Sequence, residues 1–338
     1  MLILCFGNSP SFGANHIVAL RGELGTISGA QQKQKYRPIV DGTAIRKPMS
    51  EEKHISEVKR EHSYRLLCTP FVVGVGVGRK VVKGKTTTTP CITAIVAKKI
   101  KSFMLPAAAR IPEEIVGIPT DVISLTGDKP LLEARLRKSP QPHDERTRRW
   151  RPAPGGVSVG HYLLKGAGTL GAWIRDSKSG EAFMLSCWHV IANSGRCKKG
   201  NPVLQPAVLD GGRRPDDVIA YLDRWVDVRM IVPTRDLGDA KMKLANLIVA
   251  KTPIPTNLVD VALARPVSDE VVSDQILGLG KMTFSSSADD DEFSKIGQEI
   301  TYSGRTSGVV QGNVRVVDVD IFVTYDTGIA LFVDQLIA

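Results

Sequence analysis

The stretch MLSCWHVIANSG, residues 184–195, decides how this chain reads. An apolar run gives way to small, polar, turn-forming residues, and a single histidine, His189, stands where the strand should end. Just upstream, residues 169–174 and 181–186 flank the turn DSKSG, which predicts a hairpin leading into that histidine. Downstream, VIAYLDRWV, VDVALA, QEITYSG, GNVRVVDVDIFVTY and GIALFVDQLI repeat the theme of β-branched runs between glycine-containing turns. Helical periodicity shows only around DEVVSDQILG. So many short strands predict a barrel or sandwich over residues 155–338.

The front of the chain has another texture. SEEKHISEVKREHSYRLL, residues 50–67, spaces Ile55, Val58, Tyr64 and Leu67 for an amphipathic helix, with Ser50 as N-cap and Glu51 and Glu52 favourable in the first turn. FVVGVGVGRKVVKGK and CITAIVAKK follow as two strands joined by a turn over GKTTTTP, and TDVISLTG adds one more. Together these predict a small α/β domain over residues 50–127. Residues 128–154, with several prolines and the basic run RTRRWRP, predict an exposed linker open to trypsin, and residues 1–49 a mobile leader. The expected fold class is mainly β with a small α+β domain in front.

Composition bounds the function. The 338 residues, 42% of them apolar, suffice for two folded units. Five cysteines without a CxxC pair argue against a disulfide scaffold or a zinc ribbon and fit reduced thiols. The N-terminal MLILCFGNSPSFG lacks the features of a secretory signal, and no window nears the roughly 20 apolar residues of a membrane span. A soluble, cytoplasmic protein with no membrane partner is expected. The net charge of +10 is uneven: residues 1–150 carry 25 Lys+Arg against 13 Asp+Glu. Those cations are scattered without interleaved aromatics, so nucleic acid is not an expected partner. GVGVG at residues 74–78 is followed by a β-branched run instead of a helix, which reads as closely packed strand glycines and not a phosphate loop. SSSADDDEF, residues 285–293, lacks the ligand spacing of a calcium loop and reads as solvated.

Two residues stand out chemically. A general base needs an imidazole oriented by a carboxylate, and His189 is the best placed of six histidines. Its bland alternative is a satisfied core histidine. Asp260, set in the apolar run NLVDVALA, would be costly to bury without a partner. Its bland alternative is a turn aspartate capping backbone N–H groups. Cys187 reads as a buried structural thiol.

In order along the chain, GVGVGRKVVKGK, LPAAARIPEEIVGIPTDVI, RPAPGGVSVGHY, GAGTLGAWIRD, LSCWHVIANSG, LQPAVLDGG, DDVIAYL, VDVALA and SGRTSG resemble a group of mostly bacterial trypsin-like serine peptidases over about residues 60–338. The resemblance implies a chymotrypsin-like double β-barrel behind a small N-terminal α/β domain. It makes His189 the catalytic base and Asp260 the residue that orients it, acting on a peptide or protein substrate without cofactor or metal. In that family a segment like FVDQLIA is soon followed by GDSGS, the nucleophile and oxyanion loop. No GDSG occurs in residues 1–338, and Ser307 aligns with an element upstream of the nucleophile. The expectation is therefore a second barrel that is incomplete, a chain inactive by itself, and self-association through uncovered strands such as IALFVDQLI. The competing reading is a non-catalytic peptide-binding or regulatory pseudo-peptidase module.

Overall fold

The computed structural model describes residues 3–5, 17–19, 51–124, 145–281 and 296–338. Most of the expected leader, most of the linker, and the acidic SSSADDDEF segment lie outside the described residues. What is described is mainly β. Residues 3–5 and 17–19 form a short antiparallel ribbon.

Helix α1 (Glu51–Cys68) begins with two glutamates at its positive end and buries Ile55, Val58, Leu66 and Leu67. Strands β1 (Val72–Val82) and β2 (Lys85–Val96) form a hairpin. Its turn is shorter than the sequence suggested. Lys83 and Gly84 alone make it, both with positive φ (49° and 78°), and the threonines after them belong to β2. β3 (Ile118–Ser124) runs parallel to β2.

The run RTRRWR, expected in an exposed linker, is exposed at Arg148 and Arg149 but not at Arg146. Residues 145–147 form a single 3-10 turn, and Arg146 is buried. Its guanidinium donates to the carbonyls of Gly156 (3.0 Å) and Leu277 (3.2 Å) and to Ser303 Oγ (2.6 Å), which fastens the segment to the chain that follows.

The next strands are β4 (Ser158–His161), β5 (Gly168–Thr169), β6 (Ala172–Arg175), β7 (Ala182–Ser186), β8 (Pro202–Leu204) and β9 (Val218–Trp225), with the single turn α2 (Trp188–Ile191) after β7. Beyond them come β10 (Met230–Val232), α3 (Leu237–Val249), β11 (Thr256–Asn257) and β12 (Ala262–Pro266). DEVVSDQILG is not helical beyond one 3-10 turn; it enters β13 (Val272–Ile276). The chain ends in two hairpins, β14 (Glu299–Gly304) with β15 (Gly308–Asn313) and β16 (Val316–Tyr325) with β17 (Gly328–Ile337).

One sheet has the order β6-β7-β12-β9-β8-β4-β5. Its outermost members β5 and β6 are consecutive in the chain. Leu170 exchanges backbone hydrogen bonds with Gly156 and Val157 on one side, and Gly171 donates to Leu185 on the other. The sheet therefore curls until a single bent strand serves both of its ends.

The other large sheet runs β10-β17-β16-β1-β2-β3, with β11 parallel to β17. It joins the first hairpin of residues 50–127 to the last hairpin of the chain, so it crosses the division that the sequence suggested. A Cβ on Gly76 would lie 2.6 Å and 2.7 Å from the Val316 and Val319 side chains, which is why this strand alternates valine with glycine. The run IALFVDQLI is not left bare: β17 is paired on both sides and buried from Gly328 to Phe332.

All ten residues of β16 are buried, because the strand feeds two cores. Val317 and Phe322 pack with Ile55 of α1 and Leu244 of α3, while Val316, Val319, Ile321 and Val323 join Trp188 and Val190. The change of parity between 317 and 322 is made at Asp318, a bulge residue with φ 48°.

Candidate functional site

β7 and β12 are neighbours, with Ser186 opposite Ala262. The residues just past the end of β7 and just before the start of β12 therefore meet at one rim of the curled sheet. His189 is the second residue of α2, and Asp260 lies two residues before the start of β12. The sequence suggested a strand around Cys187 and His189; in the structure Cys187 is instead the extended N-cap of a helical turn. Asn193, Ser194 and Gly195, all with positive φ, end it, as the polar NSG predicted. α2 sits close over β5, where a Cβ on Gly168 would come within 2.4 Å of Val190.

Both sequence-derived residues are brought together. His189 Nδ1 and Asp260 Oδ2 are 2.6 Å apart, and the His189 backbone N–H donates to Asp260 Oδ1 at 3.4 Å. His189 is 3% exposed and Asp260 1%. A carboxylate this enclosed is tolerable only with donors around it, and it has a third: Tyr325 Oη, at the end of β16, donates to Oδ2 at 2.9 Å. Burial, then the charge of Asp260, holds the Tyr325 hydroxyl well above its ordinary range, so it stays a donor.

With Nδ1–H turned to the carboxylate, Nε2 carries the lone pair. Among the described residues Nε2 has no hydrogen-bond partner, and it is not among the sealed polar atoms that lack one. The ring is held from the side by Tyr325, edge-on at 5.9 Å, and Tyr325 in turn meets Trp188 edge-on and stacks on Phe332. The arrangement is an imidazole fixed through Nδ1 with Nε2 unpartnered among the described residues, which is the geometry a general base requires.

Cys187 Sγ lies within 4.8 Å of ligand atoms of both His189 and Asp260, and all three residues are buried. A metal ion there would have to replace the Nδ1–Oδ2 bond and contend with Tyr325 for the same carboxylate oxygen. Ser307 is on the turn between β14 and β15, where, among the described residues, its Oγ reaches only the carbonyl of Gly308, at 3.5 Å. His161 is the last residue of β4 and is satisfied on both ring nitrogens by Asn201 Oδ1 and the Leu163 N–H. Burial lowers its proton affinity, so it is a neutral structural histidine.

Two further features escaped the sequence reading. Tyr325 was seen only as the end of a β-branched run. Arg305 and Asp210 fall in SGRTSG and LQPAVLDGG, and form a buried two-armed ion pair, Nε to Oδ2 at 2.6 Å and Nη2 to Oδ1, with Ser158 Oγ donating to the same aspartate. This pair ties the β14–β15 hairpin to the curled sheet. Among the described residues no helix is long and apolar enough to cross a membrane.

No family model matches the chain, and no curated protein matches it.

Proposed function

We propose that His189 and Asp260 are the base and the orienting acid of a trypsin-like serine endopeptidase, and that the curled sheet is the first barrel of a chymotrypsin-like double-barrel fold. The observation that carries this reading is the 2.6 Å bond from His189 Nδ1 to a buried, thrice-held carboxylate, with Nε2 left unpartnered. The order of histidine before aspartate along the chain agrees with it. In the reaction, Asp260 holds the tautomer and steadies the imidazolium. His189 Nε2 takes the proton of a serine hydroxyl as that oxygen attacks the peptide carbonyl, then returns it to the departing amine. The substrate is a peptide or protein, and no cofactor is needed.

The family resemblance puts the serine and the oxyanion donors in a segment following FVDQLIA. A second reading, a peptide-holding module without catalysis, is favoured by one fact: among the described residues no hydroxyl or thiol bonds His189 Nε2. A fluorophosphonate probe separates the two. Residues 1–338 alone should take no label, whereas the product of the whole coding frame should be labelled on a serine beyond Ala338, and H189A should abolish that label. Labelling at Ser307 would refute the assignment, and an unlabelled whole product that still binds peptides would establish the module.

A further inference from the structure

Away from His189, the loop after β2 and the end of β3 enclose a cavity of about 460 Å³. Its walls are apolar: Phe71, Val96, Leu105, Ile111 and Val122 face into it. Four cations, Lys98, Lys99, Lys101 and Arg110, also line it, and no carboxylate does. None of the four is in an ion pair among the described residues, and all four are exposed, so three lysines within four positions and an arginine gather like charge around the cavity. Arg110 is fixed in place by donating from Nε to the Leu105 carbonyl at 3.1 Å.

Backbone and surface features agree. Phe71 is held at φ 66°, a conformation that a bulky side chain avoids, and the residue is 45% exposed. Between the lysines and Leu105, Phe103 and Met104 stand 75% and 66% exposed. The volume lies in the range of small-molecule sites. An apolar chamber whose only charges are positive selects a ligand that is apolar along its body and negative at one end.

We propose that this cavity binds an anionic amphiphile of the fatty-acid class, its chain among Val96, Ile111 and Val122 and its carboxylate among Lys98, Lys99, Lys101 and Arg110. The ligand is taken as a free monomer, not as part of a bilayer.

Calorimetric titration of the purified chain with octanoate, decanoate and dodecanoate, each below its micellar concentration, tests this. One site is expected, with affinity rising about fourfold per added methylene, as burial of each CH₂ dictates. Dodecyltrimethylammonium should bind at least tenfold more weakly than dodecanoate. The triple variant K98E/K99E/K101E should lose tenfold or more, and I111W, which fills the chamber, should lose binding while the melting transition is kept. Should I111W fail to fold, the charge variant decides alone. Equal binding of the cationic amphiphile, an affinity indifferent to the charge variant, binding only to phosphatidylglycerol vesicles, or binding only of an acidic leucine-rich pentapeptide would each overturn the proposal.

Discussion

Tyr325 and Asp260, 65 residues apart in sequence, share a 2.9 Å hydrogen bond inside a site with almost no solvent contact. The bond matters because the same carboxylate oxygen also orients His189. Y325F removes the hydroxyl and keeps the ring packing, so its cost is that of a hydrogen bond to a charged group, about 1.5–3 kcal/mol in urea unfolding. The sign of its pH dependence follows from the raised proton affinity of the phenol. The hydroxyl's contribution is complete below about pH 10, where an unfolded tyrosine begins to ionise, and declines as pH rises further. Wild type should therefore lose stability above that pH faster than Y325F, and its phenolate absorbance should appear only on unfolding.

The His189–Asp260 pair should behave as a unit. D260A leaves both Nδ1–H and the Tyr325 hydroxyl buried without an acceptor, which costs about 3–5 kcal/mol. H189A in the D260A background should then cost at least ~1 kcal/mol less than H189A alone, because its partner is already gone. Strict additivity of the two losses by chemical denaturation would mean that the bond is not made in solution.

That pair was legible in the sequence because a buried aspartate demands a partner and the resemblance to trypsin-like peptidases implied His189 as that partner. Its third member was not: nothing local in GNVRVVDVDIFVTY marks Tyr325 as a donor, and the strand pairing that delivers it is long-range. α1 announced itself by periodicity, whereas α3 did not, since only Ala240 and Leu244 of its thirteen residues are buried. Its one clear signal was Asp236, whose side chain accepts from the Gly238 and Asp239 N–H groups as an N-cap. The turn of the first hairpin was misplaced because threonines resemble loop composition, although Lys83–Gly84 alone can adopt two positive φ angles. The union of that hairpin with β16 had one trace in the sequence, the alternate glycines that admit a neighbouring strand at close range.

The union is also held electrostatically. Lys59 of α1, 1% exposed, lies 3.1 Å from Asp318 Oδ1 and 3.0 Å from Asp320 Oδ2, and Ser63 Oγ donates to Asp320. One ammonium faces two carboxylates, and burial, only partly offset by Lys59, pushes Asp320 up from its ordinary 3.8. A carboxyl raised on folding favours the native state below its ordinary value and loses that advantage as pH climbs through the folded one. D320N removes this penalty at neutral pH and keeps an acceptor for Ser63, so its stability should fall within about 1.5 kcal/mol of wild type. K59M strands both carboxylates and should cost about 3–5 kcal/mol. Thermal melts at pH 7 check the contrast; K59M milder than D320N would contradict the arrangement.

A second cation binds the same helix from the other end. Lys241 of α3 donates from Nζ to the carbonyls of Leu67 at the end of α1, of Thr69 (2.7 Å) just past it, and of Val72 at the start of β1. Burial brings this ammonium down to about 8, with nearby Cys68 acting the other way. Its folded affinity for the proton is thus below the ordinary 10.5, so the unfolded chain binds more protons between those values. The contribution of Lys241 to stability must rise as pH goes from 8 to 10.5 and fall as pH drops through 8. K241M keeps the aliphatic stem and loses both the titration and the three acceptors' partner. The stability difference between wild type and K241M, followed by urea unfolding from pH 7 to 10.5, should therefore grow in favour of wild type, and a difference that is flat or shrinks would show that the three carbonyls, not burial, govern the proton on Nζ.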